Sequence, residues 1–92
     1  MIASRIIKII NRRFPRRGTY TSLEEKTGIS AKVWAHIYHG RTSPDAKHIE
    51  AMGALFPEYA YWIMTGKTIP EAGQTSPDLE QLEELKRTVN EA

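Results

Sequence analysis

Residues 20–44 read YTSLEEKTGISAKVWAHIYHGRTSP. Thr21-Ser22-Leu23-Glu24-Glu25 holds two overlapping Ser/Thr-x-x-Glu patterns. In each, the hydroxyl and the carboxylate can cap each other's backbone N–H, so a helix is expected to start there. It should run to about Thr27 and stop at Gly28, where a left-handed residue costs little. Ser30 is placed to cap a second helix, with Val33, Trp34 and Ile37 turned inward and Gly40 ending it. Ser43-Pro44-Asp45 is a further start signal, with Pro44 suited to the first helical position.

Working outward, Ile49, Met52, Leu55 and Phe56 give the next helix its apolar stripe. Pro57 opens another, in which Tyr59, Trp62, Ile63 and Met64 are expected to pack before Thr65-Gly66 breaks it. Upstream, Ile6, Ile7, Ile10 and Phe14 recur at helical spacing over residues 2–14, and Pro15-Arg16-Arg17-Gly18 ends that helix. Residues 66–76 are rich in turn formers and read as a linker or extended arm. Ser76-Pro77-Asp78 then starts a last helix carrying Leu79, Leu82, Leu85 and Val89 along one face. There is no alternating strand pattern and no internal repeat. The expected fold is all-α, with five helices over residues 1–66 and an extra C-terminal helix within a tail spanning 67–92.

Ninety-two residues make one small domain, too short for the walled cleft that most self-sufficient enzymes build on a core, so no enzyme is expected. Apolar residues at 40% and charged residues at 26% place the chain among globular proteins. The absence of cysteine excludes a disulfide scaffold, a thiolate zinc site and a thiol nucleophile. No apolar run is long enough for a membrane span or a signal peptide, and a cytoplasmic protein fits. The net charge of +2 hides an asymmetry. Residues 1–67 hold eleven Lys/Arg against five Asp/Glu, a charge of +6, whereas residues 68–92 hold two against six, a charge of −4. A basic body suggests a polyanionic partner, and an acidic tail suggests something else. A solvated helix face and a membrane-surface helix over residues 2–17 are the blander readings of the basic run.

Two short helices about a glycine turn, held by Leu23, Ile29, Trp34 and Ile37, form a helix-turn-helix. Residues 20–44 resemble the lambda-repressor-like family of phage repressor and Cro type without a gap, and the likeness extends over about residues 2–65. Two positions depart from that family's pattern. Glu24 stands where a small residue is usual, and Thr27 where an apolar one is usual.

The resemblance makes residues 30–39 the recognition helix and implies double-stranded DNA as the partner. On the face opposite Trp34 and Ile37 lie Ala31, Lys32, Ala35, His36 and His39, and the family places base contacts there, with Ser30 at the helix start. Lys32 and His36 can donate to guanine or phosphate, and Ala31 and Ala35 can approach a thymine methyl. That helix has no Arg, Asn or Gln, so modest specificity per half-site is expected, helped by DNA shape. Thr21 and Ser22 at a helix N-terminus, and Arg41, Thr42 and Ser43 after the recognition helix, are candidate phosphate contacts. Arg12, Arg13, Arg16 and Arg17 are candidates for extending them.

The competing chemistry is thin. His36, His39 and His48 could together approach a metal, but no cysteine or suitably spaced carboxylate completes a set, so no metal is expected. The serines and threonines sit at caps and turns. Gly66-Lys67-Thr68 resembles the end of a phosphate loop, but Trp62 stands where the upstream glycine belongs. Trp34, Tyr59 and Trp62 read as core, and Tyr38 as facing DNA or a partner.

The expectation is therefore a cofactor-free transcriptional regulator, repressing by binding a pseudo-palindromic operator as a homodimer, as in a phage or prophage. No small-molecule substrate is indicated. Leu79, Leu82, Leu85 and Val89 are one candidate dimer seam, and the exposed faces of residues 59–64 are another. The rival is a protein-interaction module whose acidic tail docks onto a partner, as an antitoxin tail docks onto a toxin.

Overall fold

The computed structural model describes residues 1–91, with side chains through residue 90. Its helices are α1 (Ile2–Arg13), α2 (Thr19–Thr27), α3 (Ala31–Tyr38), α4 (Ala46–Leu55), α5 (Ala60–Thr65) and α6 (Pro77–Glu91). Among the described residues the only extended pairing is an isolated bridge between Ile69 and Gln74. Among the described residues no helix is long and apolar enough to cross a membrane.

The apolar stripe of α1 buries Ile6, Ile9 and Ile10, and Phe14 follows it into the core. Ile9 takes the place expected of Ile7, which sits half-buried at the edge of the stripe. Helix α2 starts earlier than its capping patterns suggest. Gly18 adopts φ +70°, and Thr19 Oγ1 donates to the Arg16 carbonyl at 3.0 Å, so the turn closes before Thr21. Thr21 and Ser22 are thereby third and fourth in the helix, and neither side chain caps it. At the other end Gly28, φ +76°, returns its N–H to Glu24 O at 2.8 Å. Ser30 caps α3 as the sequence predicts, its Oγ accepting from Val33 N at 3.3 Å. Trp34 and Ile37 lie in the core with Leu23, Met52, Tyr59 and Ile63.

Asp45 caps α4, accepting from Lys47 N at 3.1 Å. His48 Nδ1 accepts from Asp45 N at 2.9 Å, completing a reciprocal cap. This cap leaves Pro44 outside the helix rather than at its first position. After α4 the chain makes one 3-10 turn, Pro57–Tyr59, before α5. Tyr59, Trp62 and Ile63 are buried, but Met64 is 60% exposed because it falls on the outer face of so short a helix. Arg5 of α1 donates to Ile63 O at 2.9 Å, closing the C-terminal end of α5. Gly66 lets the guanidinium approach; a Cβ there would meet Arg5 Nη2 at 3.0 Å.

Where the sequence suggests an arm, residues 66–76 fold back on the body. Ile69 and Gln74 exchange backbone hydrogen bonds of 2.9 and 3.0 Å. The Gln74 amide accepts from Tyr61 N and donates to Pro57 O, both at 2.9 Å, and Thr75 N donates to Glu58 O at 2.8 Å. Ser76 is buried there, and its Oγ accepts from Leu79 N at 3.0 Å to start α6.

Candidate nucleic-acid interface

The helix pair is locked by Thr27 and Glu24. Trp34 is fully buried, so its indole N–H needs an acceptor. Thr27 Oγ1 supplies one at 3.0 Å, while donating to Leu23 O at 2.6 Å and accepting from Ile29 N at 3.1 Å. Glu24 Oε1 reaches across the turn and accepts from Ala31 N at 2.7 Å, capping α3 beside Ser30. An apolar pair at these positions would leave the indole and Ala31 N–H groups to other partners.

Behind α3, His48 packs edge-on to Trp34, with ring centroids 5.5 Å apart. The Asp45 carboxylate lies 3.1 Å from Nδ1, but that nitrogen already accepts the Asp45 N–H, so His48 is a neutral ring and the pair is not an ion pair. Burial, reinforced by the charge of Lys47 and opposed by Asp45, holds its pKa below the ordinary histidine value. Its Nε2 is buried without a partner among the described residues.

The outer side of the pair is open. On α3, Lys32 is exposed and Ala31, Ala35 and His36 are half-exposed, and His39, which caps its C-terminus, is exposed. Neither the Lys32 nor the His36 side chain has a hydrogen-bond partner among the described residues, whereas His39 Nε2 lies 3.2 Å from Tyr20 Oη. Tyr38 faces the body, donating to Asn11 Oδ1 at 2.7 Å. Past α3, Arg41, Thr42 and Ser43 are exposed, and His36 O accepts from Arg41 N at 2.8 Å.

In α2, Ser22 N bonds to Gly18 O at 2.9 Å, so Thr19, Tyr20 and Thr21 form the first turn, whose N–H groups have no helical acceptor. A cleft of about 660 Å³ opens there, lined by Asn11, Arg16, Thr19, Tyr20, Thr21 and Tyr38.

The structure divides the basic residues into two sets. Lys8 meets Asp78 at 2.8 Å, and Arg12 meets Glu80 at 2.8 Å and also Glu84. Arg13 lies 3.3 Å from Glu58 and 4.5 Å over the Phe56 ring. Arg12 and Arg13 are thus engaged within the fold and are not open for a phosphate. Tyr59, in contact with both Arg13 and Glu80, has its pKa raised by burial and by the Glu80 hydrogen bond. The other ten Lys and Arg residues meet no carboxylate among the described residues: Arg16, Arg17, Lys26, Lys32, Arg41 and Lys47 in or beside α2, α3 and α4, Arg5, which is bonded to Ile63 O, and Lys67, Lys86 and Arg87.

The remaining candidates fall apart in space or in role. Among the described residues no three His, Cys, Asp or Glu side chains gather as a metal site. Leu79 is half-buried, while Leu82, Leu85 and Val89 stand exposed on α6. Sequence reasoning did not single out Asn11 or Arg5, whose roles come from tertiary neighbours. Thr27 carried a signal: a hydroxyl seven residues before a tryptophan across a helix-turn-helix can receive its indole N–H.

These elements define a small all-helical domain of helix-turn-helix type with an appended sixth helix. No family model matches the chain, and no curated protein matches it. Among solved structures it is similar to Pf6r from the filamentous phage Pf6 of Pseudomonas aeruginosa PA01, at 28% identity and a TM-score of 0.80. The likeness covers 94% of this chain and 96% of that one. Residues 1–66 make up less than three quarters of the chain, so the likeness reaches into the tail.

Proposed function

We propose that this protein is a phage- or prophage-type transcriptional regulator of the lambda-repressor-like family. It represses by binding a pseudo-palindromic operator as a homodimer, without a cofactor. The observation that carries the reading is the division of charge. Acids of the tail and body neutralise Lys8, Arg12 and Arg13, while six of the cations without a carboxylate, Arg16, Arg17, Lys26, Lys32, Arg41 and Lys47, lie in or beside α2, α3 and α4, where an external polyanion can meet them. The likeness to a filamentous-phage protein along nearly the whole chain supports a phage setting. In this reading α3 lies in the major groove with Ala31, Lys32, Ala35, His36 and His39 toward the bases. Thr21, Ser22, Arg16 and Arg17 hold one phosphate run, and Arg41, Thr42 and Ser43 hold the next. One half-site buries little surface, and two half-sites on one dimer multiply the affinity.

The test is a fluorescence-anisotropy titration of random-sequence duplex DNA at low and moderate salt, with wild type and Lys32→Ala/His36→Ala. Affinity should fall steeply with salt and be lower in the double variant. No binding at low salt overturns the reading and favours a protein-interaction module.

A further inference from the structure

Helix α6 is anchored to the body at its start. Ser76 and Pro77 are buried and Leu79 is half-buried, whereas every residue from 81 to 90 is exposed. Beyond that anchor the helix is held by charge. Lys8 meets Asp78, Arg12 meets Glu80 and Glu84, and Tyr59 donates to Glu80. These pairs lie at the surface: the Lys8 and Asp78 side chains are 51% and 60% exposed. Water and salt reach such a pair, and a second anion can compete for its cation.

The cations held in this way adjoin the open ones. Lys8, Asn11 and Arg12 stand at i, i+3 and i+4 of α1 and so share one face. Asn11 borders two hollows. On one side it lines the cleft that Arg16 and the first turn of α2 also line. On the other it lines a hollow of about 340 Å³ with Lys8, Arg12, Asp78 and Gln81. A phosphate run that passes Arg16 and the cleft therefore comes next to Lys8 and Arg12, which α6 covers with carboxylates.

We propose that α6 is an internal polyanion: Asp78, Glu80 and Glu84 occupy Lys8 and Arg12 in place of DNA phosphates, so that backbone contact ends at Arg16 and the tail restrains binding to duplex DNA. The inference rests on the DNA-binding reading and adds an autoinhibitory contact to it. Phosphate contacts carry no sequence information, so each one withheld lowers binding to every duplex alike and leaves discrimination to α3.

Fluorescence anisotropy of random-sequence duplex DNA over a salt series tests this on the full chain. E80Q/E84Q frees Arg12, and its amide oxygens can still accept from Tyr59. E71Q/E83Q removes the same charge from two carboxylates that make no ion pair among the described residues. E80Q/E84Q should bind several-fold tighter at about 50 mM salt, and its slope of log affinity against log salt should steepen by about 0.9, one further phosphate. E71Q/E83Q should keep the wild-type slope, and R12Q/E80Q/E84Q should return to it. D78N, at a pair too exposed to govern folding, repeats the test through Lys8 and should steepen the slope equally. Slopes of E80Q/E84Q and D78N no steeper than that of E71Q/E83Q overturn the proposal and leave the DNA reading standing, as does a steep slope that survives in R12Q/E80Q/E84Q. No binding by the wild type or any variant at low salt overturns the DNA reading and the proposal with it.

Discussion

Trp34 brings an N–H into the centre of the domain, and Thr27 is the residue that makes this tolerable. Thr27→Val keeps the shape and removes the acceptor. It should destabilise the fold by about 1–3 kcal/mol in urea unfolding, the cost of an orphaned buried donor. An unchanged midpoint would mean that the indole finds another partner. His48 makes a pH-dependent contribution. Its folded pKa lies below the ordinary value, so the folded state binds the proton less well than the unfolded chain. Its stabilisation is complete above about pH 6.5 and is lost as pH falls below that toward the folded pKa. The urea midpoint should therefore drop between pH 7.5 and 5.5, and His48→Gln should flatten that drop. At this scale the sequence revealed Ser30, Trp34, Ile37 and Gly28, because capping, burial and left-handed turns are local. It did not reveal what Glu24 does, because its partner is a backbone N–H on the next helix.

Local signals place most of the helices and misplace their ends for identifiable reasons. Helix α2 starts after Gly18 because a left-handed glycine and the Thr19 hydroxyl close the turn before the Ser/Thr-x-x-Glu patterns can act. The same limit made residues 66–76 look like a linker. Their order comes from Gln74 reaching Tyr61 N and Pro57 O, which composition does not encode. Nor does local sequence reveal that the acids of α6 lie against α1. Helix α6 is held to the body chiefly by Lys8 and Arg12, with Tyr59 on Glu80. Arg12→Ala should therefore speed amide exchange across α6 while leaving α2 and α3 as protected as before, since they share no contact with that ion pair. Equal acceleration in α3 would show that α6 supports the whole core.

For the whole molecule, sequence arithmetic gave a basic body and an acidic tail, and the fold gives that asymmetry a geometry. The tail neutralises part of α1, and of the cations left without a carboxylate Arg16, Arg17, Lys26, Lys32, Arg41 and Lys47 lie in or beside α2, α3 and α4, with Lys67, Lys86 and Arg87 elsewhere. The basic run of residues 5–17 is thus divided in use: Arg16 and Arg17 are open, while Lys8, Arg12 and Arg13 are bound within the fold. Charge counting cannot separate the two sets, because the separation depends on which helix α6 lies against. The central claim is that DNA meets the outer face of α3 and the first turn of α2. The most direct measurement is an amide NMR titration of the labelled chain with duplex DNA at moderate salt. The account predicts shifts concentrated at residues 16–22 and 30–43, with α5 and the outer face of α6 unmoved. Shifts centred on Leu82, Leu85 and Val89, or none near Lys32 and His36, would contradict it.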